Sequence, residues 1–428
     1  VLVESWLYRA AAARPEHPAL VTPARTLTYA RLLDTAAGVD LPARPGDHVA
    51  LALAPGEAFA VALHACLLRG AVAVPIDPRL AEAERAARED RCAVVVRGAL
   101  PAARARATAP AAPSHDLAAP ALIVHTSGST GVGAPVALTY ANWLWSALGS
   151  SVSLGHPRDE RWLCALPLSH VGGLSVLLRA VIGATTVILH ERFKMQVVLE
   201  ELARPEGPTA VSLVPTTFQR LLDAGLERPP ALRTALLGGA PAPPALLDRA
   251  RDAGVSVVTT YGLTEACSQV ATAGAPLFCT RVRIADDGEI LVSGPTVAPG
   301  AAGPDGWLRT GDLGELEPDG TLRVTGRAAD TIVTGGENVA PTEVEAVLER
   351  HPAVEEAAVH GRPDPEWGEA VVATVVLRAP ATEAQLIAHC SAHLAPYQAP
   401  KAVTFADVLP RTPSGKLRRA ALRVPCAP

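Results

Sequence analysis

Residues 210–223 read Ala-Val-Ser-Leu-Val-Pro-Thr-Thr-Phe-Gln-Arg-Leu-Leu-Asp. The first five form a short β-prone apolar run. From Phe218 the apolar side chains recur at helical spacing, so one strand hands over to one helix. The alternation continues in both directions, with β-prone runs at 121–124, 162–166, 185–189, 234–237 and 255–259 and a further helical stretch, Pro244-Ala-Leu-Leu-Asp-Arg-Ala250. Strands separated by helices pair in parallel, so the fold class is α/β, a parallel sheet with crossover helices. Ligands of such sheets bind beyond the C-terminal ends of the strands.

After Pro276 the texture changes to hairpin-like strands punctuated by the turn signals Asp286-Asp-Gly288 and Pro318-Asp-Gly320. A small β subdomain is expected over about 276–326, closing an N-terminal domain of 1–326. Residues 327–428 read as a separate α+β unit. Its helix starts at Pro341 with Val344, Val347 and Leu348 on one face, and a strand follows at 370–377. The segment 97–119, rich in Ala, Pro and Arg, reads as a surface loop.

Composition sets the outer limits. A chain of 428 residues exceeds what one hydrophobic core organises, so more than one domain is required. The net charge of -5 gives no electrostatic footprint for nucleic acid or for an anionic membrane. The seven cysteines are scattered without a CxxC pair, which implies neither a zinc site nor a disulfide framework and suits a reducing cytoplasm. The N-terminus lacks the order of a signal peptide, and the apolar stretch 171–189 is interrupted by Arg179 and glycines, so no membrane span is expected. A homo-oligomer is compatible with all of this.

Directly after the run at 121–124 come His125 and then Thr126-Ser-Gly-Ser-Thr-Gly131. Glycines let backbone approach a ligand and present N–H groups, and the hydroxyls of Thr126, Ser127, Ser129 and Thr130 add donors, a combination suited to a triphosphate. Gly128 and Gly133 have the spacing of a Walker loop. Ala134 and Pro135 stand where that loop needs Lys and Ser/Thr, so the Walker reading fails. On its own the stretch could equally be a Ser/Gly-rich linker.

Four further segments resolve that choice. Tyr261-Gly-Leu-Thr-Glu265, the pair Trp307-Leu-Arg-Thr-Gly-Asp312 and Gly326-Arg327, Gly335-Gly-Glu-Asn-Val-Ala-Pro-Thr-Glu-Val-Glu345 and Pro410-Arg-Thr-Pro-Ser-Gly-Lys416 occur in order. With the hydroxyl loop they resemble the motifs of the adenylate-forming superfamily of acyl-CoA synthetases, adenylation domains and luciferases, over essentially the whole chain. The resemblance implies that a carboxylate attacks the ATP α-phosphate and expels pyrophosphate, after which coenzyme A takes the acyl group. Catalysis then consists largely of neutralising charge on phosphoryl oxygens.

By that resemblance Thr126, Ser127, Gly128, Ser129, Thr130 and Gly131 grip the leaving phosphates, with Tyr261 also at the nucleotide. Glu265 holds magnesium, Thr264 meets the α-phosphate, Asp312 accepts the ribose hydroxyls and Arg327 donates to ribose or phosphate. Lys416 bridges the carboxylate and the α-phosphate in the transition state. The C-terminal unit then rotates to exchange Lys416 for the face bearing Gly335 and Gly336. Where two adjacent acids are common at the pivot, only Asp330 remains in Gly326-Arg-Ala-Ala-Asp330, so the turning residue is left open. With no carrier motif after Lys416, free coenzyme A is the expected acceptor.

An amino-acid substrate would need a carboxylate for its ammonium group, and Ser169-His170-Val171-Gly172 offers none. The stretches 166–179 and 261–269 resemble the o-succinylbenzoate–CoA ligases, whose aryl substrate carries a second carboxylate. A buried second carboxylate demands a partner. Arg179 is the candidate, against the alternative of an arginine that snorkels to water. His170 lines the acyl pocket by resemblance or packs structurally. Ser268 and Gln269 offer neutral donors, and Gly238, Gly239 and Ala240 leave a slot for the ring. Another aryl-acid ligase is the nearest variant. A non-catalytic homologue binding an acyl-adenylate or CoA ester stays open on the missing lysine and altered hinge, although retention of Glu265, Asp312, Arg327 and Lys416 favours the ligase.

Overall fold

The computed structural model describes residues 1–102, 114–126, 133–411 and 417–422. The chain forms two compact units, one of Val1–Gly239, Arg249–Arg281 and Val292–Leu308, the other of Ala240–Asp248, Val282–Leu291 and Arg309–Pro428.

The first unit contains a nine-stranded sheet whose order is Ala275–Pro276, Ser268–Thr272, Val257–Leu263, Thr234–Leu237, Ala210–Leu213, Arg161–Cys164, Thr186–Leu189, Pro18–Val21 and Thr26–Thr28. Neighbours from Val257–Leu263 to Pro18–Val21 run parallel, and the outer strands are antiparallel. Helices Pro215–Asp223 and Pro244–Asp252 begin on prolines, whose missing N–H costs nothing in a first helical turn. The central parallel strands are almost continuously apolar and buried, as a sheet covered on both faces requires.

The run at 121–124 belongs elsewhere. Pro120–His125 joins a five-stranded sheet, in the order Val94–Val96, His48–Leu51, Val72–Pro75, Pro120–His125 and Pro135–Thr139. Pro120–His125 pairs parallel with Val72–Pro75, as expected of a crossover strand, and the chain then returns as the antiparallel edge strand Pro135–Thr139. Part of the expected loop 97–119 is also ordered as a strand, since Ser114–Asp116 pairs antiparallel with Leu2–Glu4. Residues 103–113 lie outside the described residues.

In the second unit, strands Leu308–Leu316 and Leu322–Arg327 form a hairpin about the Pro318-Asp-Gly320 turn. A five-stranded sheet contains Ile332–Thr334, Glu337–Val339, Val354–Asp364, Gly368–Leu377 and Ala402–Phe405. Helix Pro341–Leu348 turns Val344, Val347 and Leu348 onto it, packed with Ile332, Val339 and Val371.

Candidate active site

Because the central strands of the nine-stranded sheet are parallel, their C-terminal ends share one edge, and several expected site residues gather there. Gly238 and Gly239 follow Thr234–Leu237, Ser169 and His170 follow Arg161–Cys164, and Thr264 and Glu265 follow Val257–Leu263. Gly238 bonds through its N–H to the Leu213 carbonyl, and a Cβ at this position would lie 2.8 Å from Thr260 Cγ2. Only glycine allows that approach. His170 caps helix Val171–Gly183 with extended backbone dihedrals and is half-buried.

The stretch from Tyr261 to Glu265 differs in detail from a turn that follows a strand. Tyr261 and Leu263 are themselves in the strand, because Ser268–Thr272 pairs back on it with a bulge at Tyr261/Gly262. The turn is the short 3₁₀ segment Thr264–Ala266, with Thr264 and Glu265 at the hairpin tip. The Glu265 carbonyl accepts from Ala298 N–H at 2.7 Å, and Ser146 Oγ donates to the Cys267 carbonyl at 2.7 Å. These bonds hold Cys267 and Ser268 at φ of 52° and 91°, conformations that non-glycine residues adopt only when their surroundings enforce them. The strain sits beside the two residues expected to meet the phosphates.

Behind the hairpin lies a buried polar relay. Arg179 is 5% exposed, so its head does not reach water and the snorkelling alternative is excluded. Its guanidinium lies 4.4 Å from the centre of the Trp162 ring, and Nη2 donates to Gln269 Oε1 at 3.0 Å. Gln269 Nε2 in turn donates to Thr272 Oγ1 at 3.0 Å. Arg179 Nε and Nη1 meet no acceptor among the described residues. Burial pulls its pKa down to about 10, which leaves it a cation at neutral pH with unspent donors.

One contributor escaped the sequence reading. Asp77, just beyond strand Val72–Pro75, accepts from Ser169 Oγ at 3.2 Å and from Arg79 Nη2 at 2.7 Å. It thereby links the C-terminal edges of the two sheets at the residue preceding His170. Burial opposes its ionisation, but the bonds from Arg79 and Ser169 outweigh it and hold the carboxyl below its usual range. The signal available was an aspartate closing an apolar strand, Val72-Ala-Val-Pro-Ile-Asp77.

The hydroxyl loop is closed at its neck. Thr126 N–H donates to the Ala134 carbonyl at 2.9 Å, and Ala134 N–H donates to Thr126 Oγ1 at 3.2 Å. Ser127, Gly128, Ser129, Thr130 and Gly131 lie outside the described residues, as does Lys416. The ends of the lysine segment are pinned by a bridge between Arg411 and Leu417 and by Arg418 N–H to the Pro410 carbonyl at 2.8 Å.

In the second unit, Asp312 and Arg327 are direct cross-strand partners, with Arg327 Nε 2.9 Å from Asp312 Oδ1. Asp312 is buried while Arg327 is largely exposed, so the carboxylate is fixed and the guanidinium can move. Thr310 Oγ1 braces the turn before it, accepting Asp312 N–H and donating to the Ile290 carbonyl. Gly335 and Gly336, at φ of 58° and 84°, make the two-residue turn between Ile332–Thr334 and Glu337–Val339, a geometry that needs positive φ at both positions. The turn lies against Trp367, whose carbonyl accepts Gly335 N–H at 2.8 Å. Asp330, in the 3₁₀ segment Ala328–Asp330, accepts from Arg419 at 3.1 Å, and Arg419 also pairs with buried Glu345 at 2.6 Å. Ala240 begins a segment of this unit.

No group of three or more His, Cys, Asp or Glu able to hold a metal occurs among the described residues. A single carboxylate such as Glu265 still fits magnesium arriving with a nucleotide, because that ion takes one or two protein carboxylates and fills its remaining positions with phosphate and water.

The AMP-binding enzyme family matches residues 7–112 and 89–301, its C-terminal domain matches residues 343–416, and the chain belongs to this family. Among its relatives, the 2-succinylbenzoate–CoA ligase of Bacillus licheniformis is 37% identical, covering 97% of this chain and 98% of the relative. That of Bacillus subtilis is 36% identical, covering 98% and 97%. The structure of o-succinylbenzoate CoA synthetase from Bacillus subtilis in complex with its acyl-adenylate superposes with a TM-score of 0.90 at 34% identity, covering 99% of each chain. ATP-bound MatB from Rhodopseudomonas palustris superposes at 0.88 with 25% identity over 98% of each chain.

Proposed function

We propose that this chain is an ATP-dependent acid–CoA ligase, AMP-forming, that converts o-succinylbenzoate first to its acyl-adenylate and then to the coenzyme A thioester. The observation that carries this reading is the full-length similarity to 2-succinylbenzoate–CoA ligases, which spans both units. The buried Arg179, with two donors unspent behind the Ser268–Gln269 strand, supports an acid with a second carboxylate.

In the first half-reaction a substrate carboxylate oxygen forms a bond to the α-phosphorus, and the bond to the bridging oxygen of pyrophosphate breaks. Thr264 donates to the α-phosphate, and the Thr126 to Gly131 loop holds the leaving group. Glu265 would hold magnesium, which supplies charge neutralisation on the phosphates. Asp312 accepts from the ribose hydroxyls, with Arg327 swinging off it toward ribose or phosphate. Lys416 carries positive charge to the reacting oxygens. In the second half-reaction the coenzyme A thiolate attacks the acyl carbon and AMP leaves. We place the joint between an N-terminal body of 1–326 and a C-terminal lid of 327–428, with Asp330 near the pivot and the Gly335–Gly336 turn facing the thiol. His170, Gly238 and Gly239, at the C-terminal edge of the nine-stranded sheet, shape the ring slot.

The cytoplasm is the proposed compartment: the six described cysteines are free thiols, and no described helix is long and apolar enough to cross a membrane. The test is carboxylate-dependent exchange of labelled pyrophosphate into ATP across a panel of aryl acids, followed by thioester formation with free coenzyme A. Exchange with o-succinylbenzoate is expected. Exchange with benzoate but not with o-succinylbenzoate overturns the substrate, and no exchange with any acid overturns the ligase.

A further inference from the structure

The hairpin tip that carries Thr264 and Glu265 is not held by its own turn. The 3₁₀ segment Thr264–Ala266 runs into Cys267, left-handed at φ of 52°, and then Ser268 at 91°. Side chains other than glycine leave such conformations unless neighbouring groups enforce them. A tip built on this link stays in place only while something outside the hairpin grips it.

One helix supplies the grip. Helix Tyr140–Leu154 follows strand Pro135–Thr139 and carries two buried polar side chains, Asn142 and Ser146, one helical turn apart on the same face. A serine inside a helix commonly returns its hydroxyl to the carbonyl four residues back. Ser146, 1% exposed, instead donates to the Cys267 carbonyl at 2.7 Å, 121 residues away. Asn142 donates from Nδ2 to the carbonyls of Pro295 at 2.9 Å and Val297 at 3.0 Å, while its Oδ1 accepts the Thr139 N–H at 2.8 Å. The segment held by Asn142 continues to Ala298, whose N–H reaches the Glu265 carbonyl at 2.7 Å. Both carbonyls that anchor the tip, those of Glu265 and Cys267, therefore trace back to this helix.

We propose that Ser146 is a positioning residue for adenylate formation, with Asn142 in support: its bond to the Cys267 carbonyl fixes the strained link and thereby sets where Thr264 and Glu265 stand. The assignment rests on the ligase reading, in which those two residues meet the α-phosphate and magnesium. Displacement of reacting groups by about 1 Å is enough to cost roughly a hundredfold in rate.

The experiment compares wild type, Ser146→Ala, Cys267→Gly and the double variant, each checked for folding by thermal melt. Glycine accepts positive φ without enforcement, so a chain with Cys267→Gly depends less on the serine. In the native background Ser146→Ala is expected to lower kcat for pyrophosphate exchange by roughly ten- to a hundredfold and to raise the magnesium concentration for half-maximal exchange, while thioester formation from pre-made acyl-adenylate stays within about threefold. In the Cys267→Gly background the same substitution should cost no more than about threefold. Ser146→Cys keeps a weak donor and should fall between serine and alanine; it decides the question should the alanine variant not fold. An unchanged kcat in a folded Ser146→Ala, equal losses in the two half-reactions, or the same loss in both backgrounds overturns the proposal. Equal losses with a lowered melting temperature are what a purely structural serine predicts. Exchange by wild type that Ser146→Ala leaves untouched overturns this proposal alone, whereas no exchange by wild type with any acid overturns the ligase reading and the proposal with it.

Discussion

Replacing Arg179 by methionine separates recognition from scaffolding. Methionine keeps the length of the side chain but deletes the cation over Trp162 and the bond to Gln269. Loss of the charged hydrogen bond costs about 1.5–3 kcal/mol, and loss of a desolvated cation–π contact about 2 kcal/mol. Against this, removal of a buried cation with two unmet donors returns several kcal/mol of desolvation. The apo protein should therefore change in stability by no more than about 2 kcal/mol. The substrate complex has no such compensation. A second carboxylate buried without its partner costs about 3–5 kcal/mol, which is roughly a hundred- to a thousandfold or more in kcat/KM. Benzoate, lacking that carboxylate, should lose no more than about threefold. Pyrophosphate exchange with each acid, paired with a thermal melt, measures both quantities. Equal losses with both acids, accompanied by a large drop in melting temperature, would refute substrate recognition and make Arg179 a scaffold residue.

Other substitutions address separate parts of the account. Lys416→Ala should abolish adenylate formation yet leave thioester formation from pre-made acyl-adenylate nearly intact, and equal loss of both steps contradicts its role. Gly238→Ala forces a Cβ to 2.8 Å from Thr260 Cγ2, so a destabilisation of about 1–3 kcal/mol by denaturant titration is expected, with a raised KM for the aryl acid. Burial, with Glu345 adding to it, pushes the Glu349 carboxyl up to about 7. The folded chain therefore keeps a proton that the unfolded chain releases near pH 4.5, and the associated stability is full below that pH and lost as pH rises through about 7. Glu349→Gln should flatten this slope and stabilise the protein at pH 8 by up to about 3 kcal/mol, with little effect at pH 4. A variant whose pH–stability curve parallels wild type removes Glu349 as the cause.

Local periodicity and turn chemistry made much of the frame legible. Thr234–Leu237 is the run read from the sequence, and Val344, Val347 and Leu348 face the core as their spacing requires. The pairing of Asp312 with Arg327 was also implicit. A turn centred on Asp319 folds two strands together, so residues fifteen positions apart become cross-strand partners. Non-local pairing was not legible. The β-run at 121–124 looks like its neighbours, and its pairing with Val72–Pro75 on one side and Pro135–Thr139 on the other assigns it to the other sheet. The positive φ of Cys267 and Ser268 carries no glycine signature, since Ser146 and the hairpin enforce it from a distance. Asp77 acquires meaning only when separate segments meet, through Ser169.

The central claim is most directly tested by incubating the protein with ATP, magnesium, coenzyme A and either o-succinylbenzoate or benzoate, and identifying the products by mass. The account predicts AMP and the o-succinylbenzoyl thioester, with benzoate poorer by roughly a hundredfold or more in kcat/KM, because Arg179 has nothing to meet on that ring. A benzoyl thioester formed as readily as the o-succinylbenzoyl one, or AMP released with neither acid, would contradict it.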